Sequence, residues 1–107
     1  MAMRMTIPLQ LVLQVLLENP DRELYGLEIG GAAGLASGTV HPLLARLEAH
    51  GWLESRWEDI DPSTQGRPAR RYYRLTAQGA EDAWAALERV RARRPHGVPL
   101  PALGQGA

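Results

Sequence analysis

Among its 107 residues the sequence contains no cysteine and no lysine. Without cysteine there is no disulfide scaffold, no thiol nucleophile and no cysteine-ligated zinc. Without lysine there is neither a Walker-type phosphate loop nor a Schiff-base enzyme, because both chemistries need an ammonium side chain. Long apolar runs are also missing, and none approaches the ~20 residues that span a bilayer. The opening stretch MAMRMTIPLQ lacks the charged-then-apolar plan of a secretory signal, so the expectation is a cytoplasmic protein with no membrane partner. His41, His50 and His96 have no zinc-like spacing, so no metal site and no cofactor are expected.

Net charge is lacking as well, since twelve basic residues balance twelve acidic ones. That balance hides segregation. Every basic residue is arginine, and Arg67, Arg70, Arg71 and Arg74 crowd one short stretch while Arg89, Arg91, Arg93 and Arg94 crowd another. The acids concentrate at 18–28 and 54–61. Local fields therefore matter more than the overall charge. The length is that of one domain, which buries about two-thirds of its unfolded surface in a single core.

Pro8 behind Thr6 marks a helix start, and the helix runs to Glu18, where Asn19-Pro20-Asp21 stops it. Only Gln10, Gln14 and Glu18 interrupt its apolar surface, on one narrow stripe, so more of the circumference is apolar than one side of a small core needs. A second burial partner is implied. A short helix is expected over Leu24 to Ala33, with Leu24, Leu27 and Ile29 inward, Gly26, Gly30 and Gly31 allowing close packing, and Gly34 as a left-handed cap. Ser37 is expected as the N-cap of the next helix. There Val40, Leu43, Leu44 and Leu47 make a core stripe and leave Gly38, Thr39, His41, Ala45 and Arg46 outward, with Gly51 as the stop. Pro42 is cheapest if this helix begins near Thr39, where its missing N–H belongs to the unpaired first turn.

From Trp52 to Glu58 the period changes to two, and it resumes from Arg70 to Leu75 after a polar stretch with Pro62, Gly66 and Pro68. This predicts a hairpin with a long loop, Trp52 and Trp57 serving its packing. Thr76 caps a last helix to about Arg93, with the stripe Ala80, Ala83, Trp84, Leu87 and Val90. The tail 95–107 is proline- and glycine-rich and is expected to be disordered.

Helix, helix–turn–helix, hairpin and long helix make a mainly α chain with a β-hairpin wing, a winged helix-turn-helix over residues 6–76 with an added C-terminal dimerisation helix over 77–94. The second helix of such a pair enters the major groove while the hairpin loop reaches along the backbone or into the minor groove. Four stretches, LYGLEI (24–29), SGTVHPLLARLEAHGWLESRWE (37–58), GRPARRYYRLT (66–76) and QGAEDAW (78–84), resemble the PadR family of bacterial transcriptional regulators, its smaller members in particular. The resemblance spans about residues 6–94.

The resemblance implies a homodimeric repressor that binds an inverted repeat in double-stranded promoter DNA and lets go on sensing a small molecule. It also implies pairing chiefly through the C-terminal helix packed on the N-terminal one. The residues independently support dimerisation, through Leu9, Val12 and Leu16 on the first helix and Ala80, Trp84, Leu87 and Val90 on the last. The expected recognition helix is Ser37 to His50 and the expected wing Asp59 to Ala69. Ser37 and Gly38 suit a phosphate at a helix N-terminus, Thr39 and His41 are placed for base edges, and Arg46 is a phosphate candidate one turn on.

His41 stands where the family usually carries tyrosine. Arg67, in Gly66-Arg67-Pro68, is read as a wing contact to phosphate or a narrow minor groove, against the alternative of a solvated loop arginine. Of Arg70, Arg71 and Arg74, one or two can face DNA while the others pair with Glu54 and Glu58, and Arg70 is carried as the contact. Tyr25 resembles a family position near the DNA backbone, and a core role is its alternative. Trp84 is read either as the lining of a pocket for a small aromatic or hydrophobic effector or as packing. The competing function is a winged-helix protein-interaction module without DNA binding. An enzyme is not expected, because no nucleophile–base pair is visible.

Overall fold

The computed structural model describes residues 3–93, so the expectations for Arg94 and for the tail 95–107 lie outside the described residues. Helix α1 (Ile7–Glu18) starts as its sequence dictates: the Thr6 hydroxyl oxygen accepts the Leu9 N–H at 3.3 Å, with Pro8 in the first turn. Its apolar surface is consumed inside the chain. Leu9, Val12, Leu13, Val15 and Leu16 are buried, and α2 (Gly26–Ala33), α3 (Ser37–Ala49), α5 (Ala77–Arg93) and the sheet all pack on α1. The second burial partner thus lies largely within the protomer. Gln10, on the polar stripe, is buried too, and its Nε2 donates to the Met5 carbonyl at 2.9 Å.

The expected helix from Leu24 begins two residues late. Leu24–Tyr25 forms strand β1, antiparallel to β3 (Arg71–Leu75), with Leu24 opposite Tyr73 and Tyr25 opposite Tyr72. Edge pairing to a distant strand, Leu24 with Tyr73 and Tyr25 with Tyr72, overrides local helical preference. Because α2 then starts at Gly26, its inward positions are Gly26, Ile29, Gly30 and Ala33, spaced i, i+3, i+4 and i+7. Leu27 falls outside that stripe and is 72% exposed, contrary to its expected inward placement. Gly34 is the left-handed cap, at φ 72°, and its N–H reaches back to the Gly30 and Gly31 carbonyls. The Leu35 N–H bonds the Gly30 carbonyl at 2.8 Å, closing a tight turn into α3.

Helix α3 carries the predicted core stripe of Val40, Leu43, Leu44 and Leu47, all buried. Its cap differs from expectation. Ala36, not Ser37, is the N-cap and receives no side-chain bond, since the extended backbone that precedes a helix falls at Ala36 after the αL turn. Pro42 is consequently inside the helix, and the carbonyl it cannot serve belongs to Gly38, on the exposed face. Gly51, at φ 77°, follows the helix end and turns the chain into β2 (Leu53–Trp57).

The sheet order is β1-β3-β2, all antiparallel, with Leu53 opposite Leu75 and Trp57 opposite Arg71. The long loop contains one turn of helix, α4 (Pro62–Gln65), absent from the sequence reading. Asp61 caps it by accepting from the Ser63 N–H, the Ser63 hydroxyl and the Thr64 hydroxyl, which holds the Asp61 carboxyl below its ordinary value. Thr76 starts α5 as expected: its hydroxyl oxygen accepts the Gly79 N–H and its O–H donates to the Gly51 carbonyl, each at 2.8 Å.

Candidate nucleic-acid interface

Ser37, Gly38, Thr39, His41, Ala45 and Arg46 all lie on the exposed face of α3. The helix keeps them there because the buried stripe fixes its rotation. Ser37 begins the helix without its hydroxyl being used as a cap, leaving first-turn N–H groups of Ser37 and Gly38 directed outward. Arg46 has no carboxylate partner among the described residues.

A groove of about 530 Å³ runs between α3, the start of α2 and the wing strands, and brings Tyr25, His41, Arg67 and Arg70 together. His41 reaches it by lying across Gly26, whose missing side chain makes room for the imidazole. Leu27, Trp57 and Arg71 complete its rim. Ser37, Gly38, Thr39 and Arg46 share the α3 face but do not line this groove. Trp57 was expected to pack the hairpin. It is instead 61% exposed, with the Arg71 guanidinium 5.2 Å from its ring, because at the sheet's end no helix remains to cover that face.

The arginines of the wing are sorted by their partners. Arg74 bonds Glu54, with Nη2 donating at 2.6 Å, as the cross-strand register requires. Arg71 donates from Nε to the Ser55 hydroxyl at 3.1 Å and lies 3.6 Å from Glu48 on α3, so it ties the wing to α3. Glu58 is taken by Arg67 and not by the strand arginines: Arg67 Nη1 and Nη2 donate to its two carboxylate oxygens at 2.7 and 3.0 Å. That fork, together with the Arg70 backbone N–H, holds the Glu58 carboxyl down at about 2. Arg70 is the wing arginine left without a carboxylate among the described residues, and its guanidinium stacks 4.3 Å from the Tyr25 ring centre.

Tyr25 is half-buried, with its ring edge-on to Tyr72, which Arg56 covers from the other side. This line of stacked side chains went unread in the sequence. Its signal was the period-two set Arg70, Tyr72 and Arg74 on one face, opposite Glu58, Arg56 and Glu54.

The residues expected to pair two copies divide differently. Leu9, Val12, Leu16 and Leu87 are 0%, 0%, 2% and 6% exposed and belong to the protomer's own core. Leu9, Val12 and Leu16 leave almost no area to offer a partner, and Leu87 offers only what it shows to the groove beside Trp84. Ala80 and Val90 are half-buried, and Trp84 is 61% exposed on the outer face of α5. Beside Trp84 lies a groove of about 260 Å³ lined by Gln14, Leu17, Glu18, Leu87, Glu88 and Arg91. The Gln14 Nε2 is buried there without a hydrogen-bond partner among the described residues. Among the described residues no acidic and histidine side chains cluster as metal ligands, and no helix is long and apolar enough to cross a membrane.

Comparison with solved structures finds the same arrangement elsewhere. The crystal structure of a PadR family transcriptional regulator from Eggerthella lenta DSM 2243 is similar with a TM-score of 0.61 and 30% identity, over 78% of this chain and 73% of that one. Reduced AbfR bound to DNA matches with a TM-score of 0.66 and 27% identity, over 87% of this chain and 62% of that one. The transcriptional regulator PcaV from Streptomyces coelicolor, in complex with its natural ligand, matches with a TM-score of 0.62 and 25% identity, over 82% of this chain and 57% of that one. This chain therefore spans less than two-thirds of the length of AbfR and PcaV. The comparison with curated proteins finds no match. The family described as the transcriptional regulator PadR-like family matches residues 12–84, and with the winged helix already in place the chain belongs to that family.

Proposed function

We propose that this chain is a sequence-specific DNA-binding regulator, a homodimeric repressor acting on inverted repeats in promoter DNA. The observation that carries the reading is the pairing pattern of its arginines. In a chain of zero net charge, Arg46 and Arg70 form no ion pair among the described residues, one on the exposed face of α3 and the other on the wing. Phosphate contacts then come from Arg46, Arg70 and the N-terminus of α3 at Ser37 and Gly38, while Thr39 and His41 address base edges and Tyr25 supports Arg70. The similarity to AbfR, solved bound to DNA, supports the DNA-binding reading.

Dimerisation is proposed through Trp84 and the half-buried Ala80 and Val90, with α1 contributing Gln14 and Leu17. An exposed tryptophan next to a buried, unpartnered amide is a costly surface, since an unsatisfied buried donor costs about 1–3 kcal/mol and a partner offering apolar area and an acceptor relieves it. The groove beside Trp84 is also where a small aromatic or hydrophobic effector is proposed to sit; that a relative, PcaV, was solved with its natural ligand supports effector binding as such. The cytoplasm is the proposed location.

The test is fluorescence anisotropy of the purified protein with the DNA upstream of its own coding sequence and with a scrambled duplex, at several salt concentrations. Preferential, salt-dependent binding is expected. Failure to bind any duplex, in this assay and in a genome-wide selection of bound fragments, contradicts the reading and favours a protein-interaction module.

A further inference from the structure

Arg67 sits where a wing arginine would reach for phosphate, yet its guanidinium is engaged inside the protein. Glu58 directly follows β2, and Arg67 stands near the end of the loop that it opens. The carboxylate accepts from Arg67 at both oxygens, at 2.7 and 3.0 Å, and its Oε1 also accepts the Arg70 backbone N–H at 3.2 Å. Arg67 Nη1 further donates to the Pro68 carbonyl at 3.2 Å. The Glu58 N–H donates to the Arg70 carbonyl at 2.7 Å, so backbone and side chain close the same ring across the base of the loop.

The fork takes two of the five guanidinium donors and the Pro68 carbonyl a third, and the Glu58–Arg67 pair as a whole carries no net charge. It is also sheltered: the side chains are 16% and 35% exposed for Glu58 and Arg67. A phosphate that took Arg67 away would leave the Glu58 carboxylate in that setting with a single backbone N–H. Arg70, immediately beyond the ring, has no such partner among the described residues and stacks on Tyr25.

We propose that Arg67 is a positioning residue: its fork with Glu58 locks the base of the wing loop and holds Arg70 as the cation offered to DNA phosphate. This rests on the DNA-binding reading and changes the role within it that Arg67 was expected to have. Arg67→Ala, Arg67→Lys, Glu58→Gln, Arg70→Ala and the double variant Arg67→Ala/Glu58→Gln are compared with the wild type. The readouts are Kd for a selected duplex as a function of salt, and amide hydrogen exchange of residues 59–69.

Arg67→Lys keeps the charge and loses the fork, so it weakens binding along with Arg67→Ala and Glu58→Gln, each on the order of tenfold, by releasing an ordered loop. The double variant is no worse than either single change. All four leave the salt slope at the wild-type value and accelerate loop exchange, whereas Arg70→Ala flattens the slope with loop exchange unchanged. The proposal is overturned if Glu58→Gln tightens binding, if Arg67→Lys binds like the wild type, or if Arg67→Ala flattens the slope. If the wild type binds no duplex, the DNA-binding reading fails by itself. Loop exchange then decides the lock, and exchange unchanged in Arg67→Ala overturns it.

Discussion

At the scale of the residue, charge pairing decides what an arginine does. Arg56, Arg67, Arg71 and Arg74 are each matched to a carboxylate, on Glu23, Glu58, Glu48 and Glu54 respectively, and these pairs build the wing. Arg70 has no ion-pair partner among the described residues. Arg70→Ala is therefore expected to lower the slope of log K against log salt by about 0.9 for each wing, as for one phosphate contact, and anisotropy titrations check it. Thr39→Ala and His41→Ala are expected to change base preference, by about 1–3 kcal/mol at the affected pair where a bidentate contact is lost; competition with single-base variants of the selected site measures this.

Glu58 adds a pH dependence. Its carboxyl is held at about 2 against an ordinary 4.5, chiefly by the Arg67 fork, so its contribution to stability is complete above 4.5 and is lost as pH falls from there towards 2. The difference in urea midpoint between wild type and Glu58→Gln is accordingly flat around neutrality and shrinks across that acid window.

At the scale of the element, the start of α5 shows how tightly the layers are joined. The Trp52 carbonyl accepts the Thr76 N–H at 3.0 Å, and a Cβ placed on Gly79 would lie 2.0 Å from the same oxygen. Gly79→Ala forces α5 off the sheet and is expected to destabilise the fold by at least ~1–3 kcal/mol, read from urea unfolding. Much of this level was legible beforehand. The stripe Val40, Leu43, Leu44 and Leu47, the caps at Thr6 and Thr76 and the αL turn at Gly34 are local signals, complete within a few residues of chain.

What escaped the sequence reading depends on distant partners. Strand β1 has two residues and no periodicity to read, and only its pairing with Tyr72 and Tyr73 defines it. Leu27 and Trp57 look like core residues by type, and their exposure follows from where α2 begins and where the helices stop covering the sheet. The face of α3 was legible because burial on one side fixes the other. The Glu58–Arg67 fork was not, since a side-chain pair nine positions apart is set by the path of the loop.

At the scale of the whole molecule, the surface the protomer leaves unresolved is the outer face of α5 around Trp84. Trp84→Glu places a charge in the proposed seam and is expected to give a monomer by sedimentation equilibrium, with weakened DNA binding; an unchanged dimer mass removes Trp84 from the interface. The central claim is that two such protomers present two recognition helices to one duplex. Selection from random duplexes by the wild-type protein, followed by sequencing, tests it most directly. The account predicts an enriched inverted repeat whose half-sites lie about 10–10.5 base pairs, one helical turn, apart; recovery of DNA with no enriched motif, or of a single isolated half-site, would contradict it.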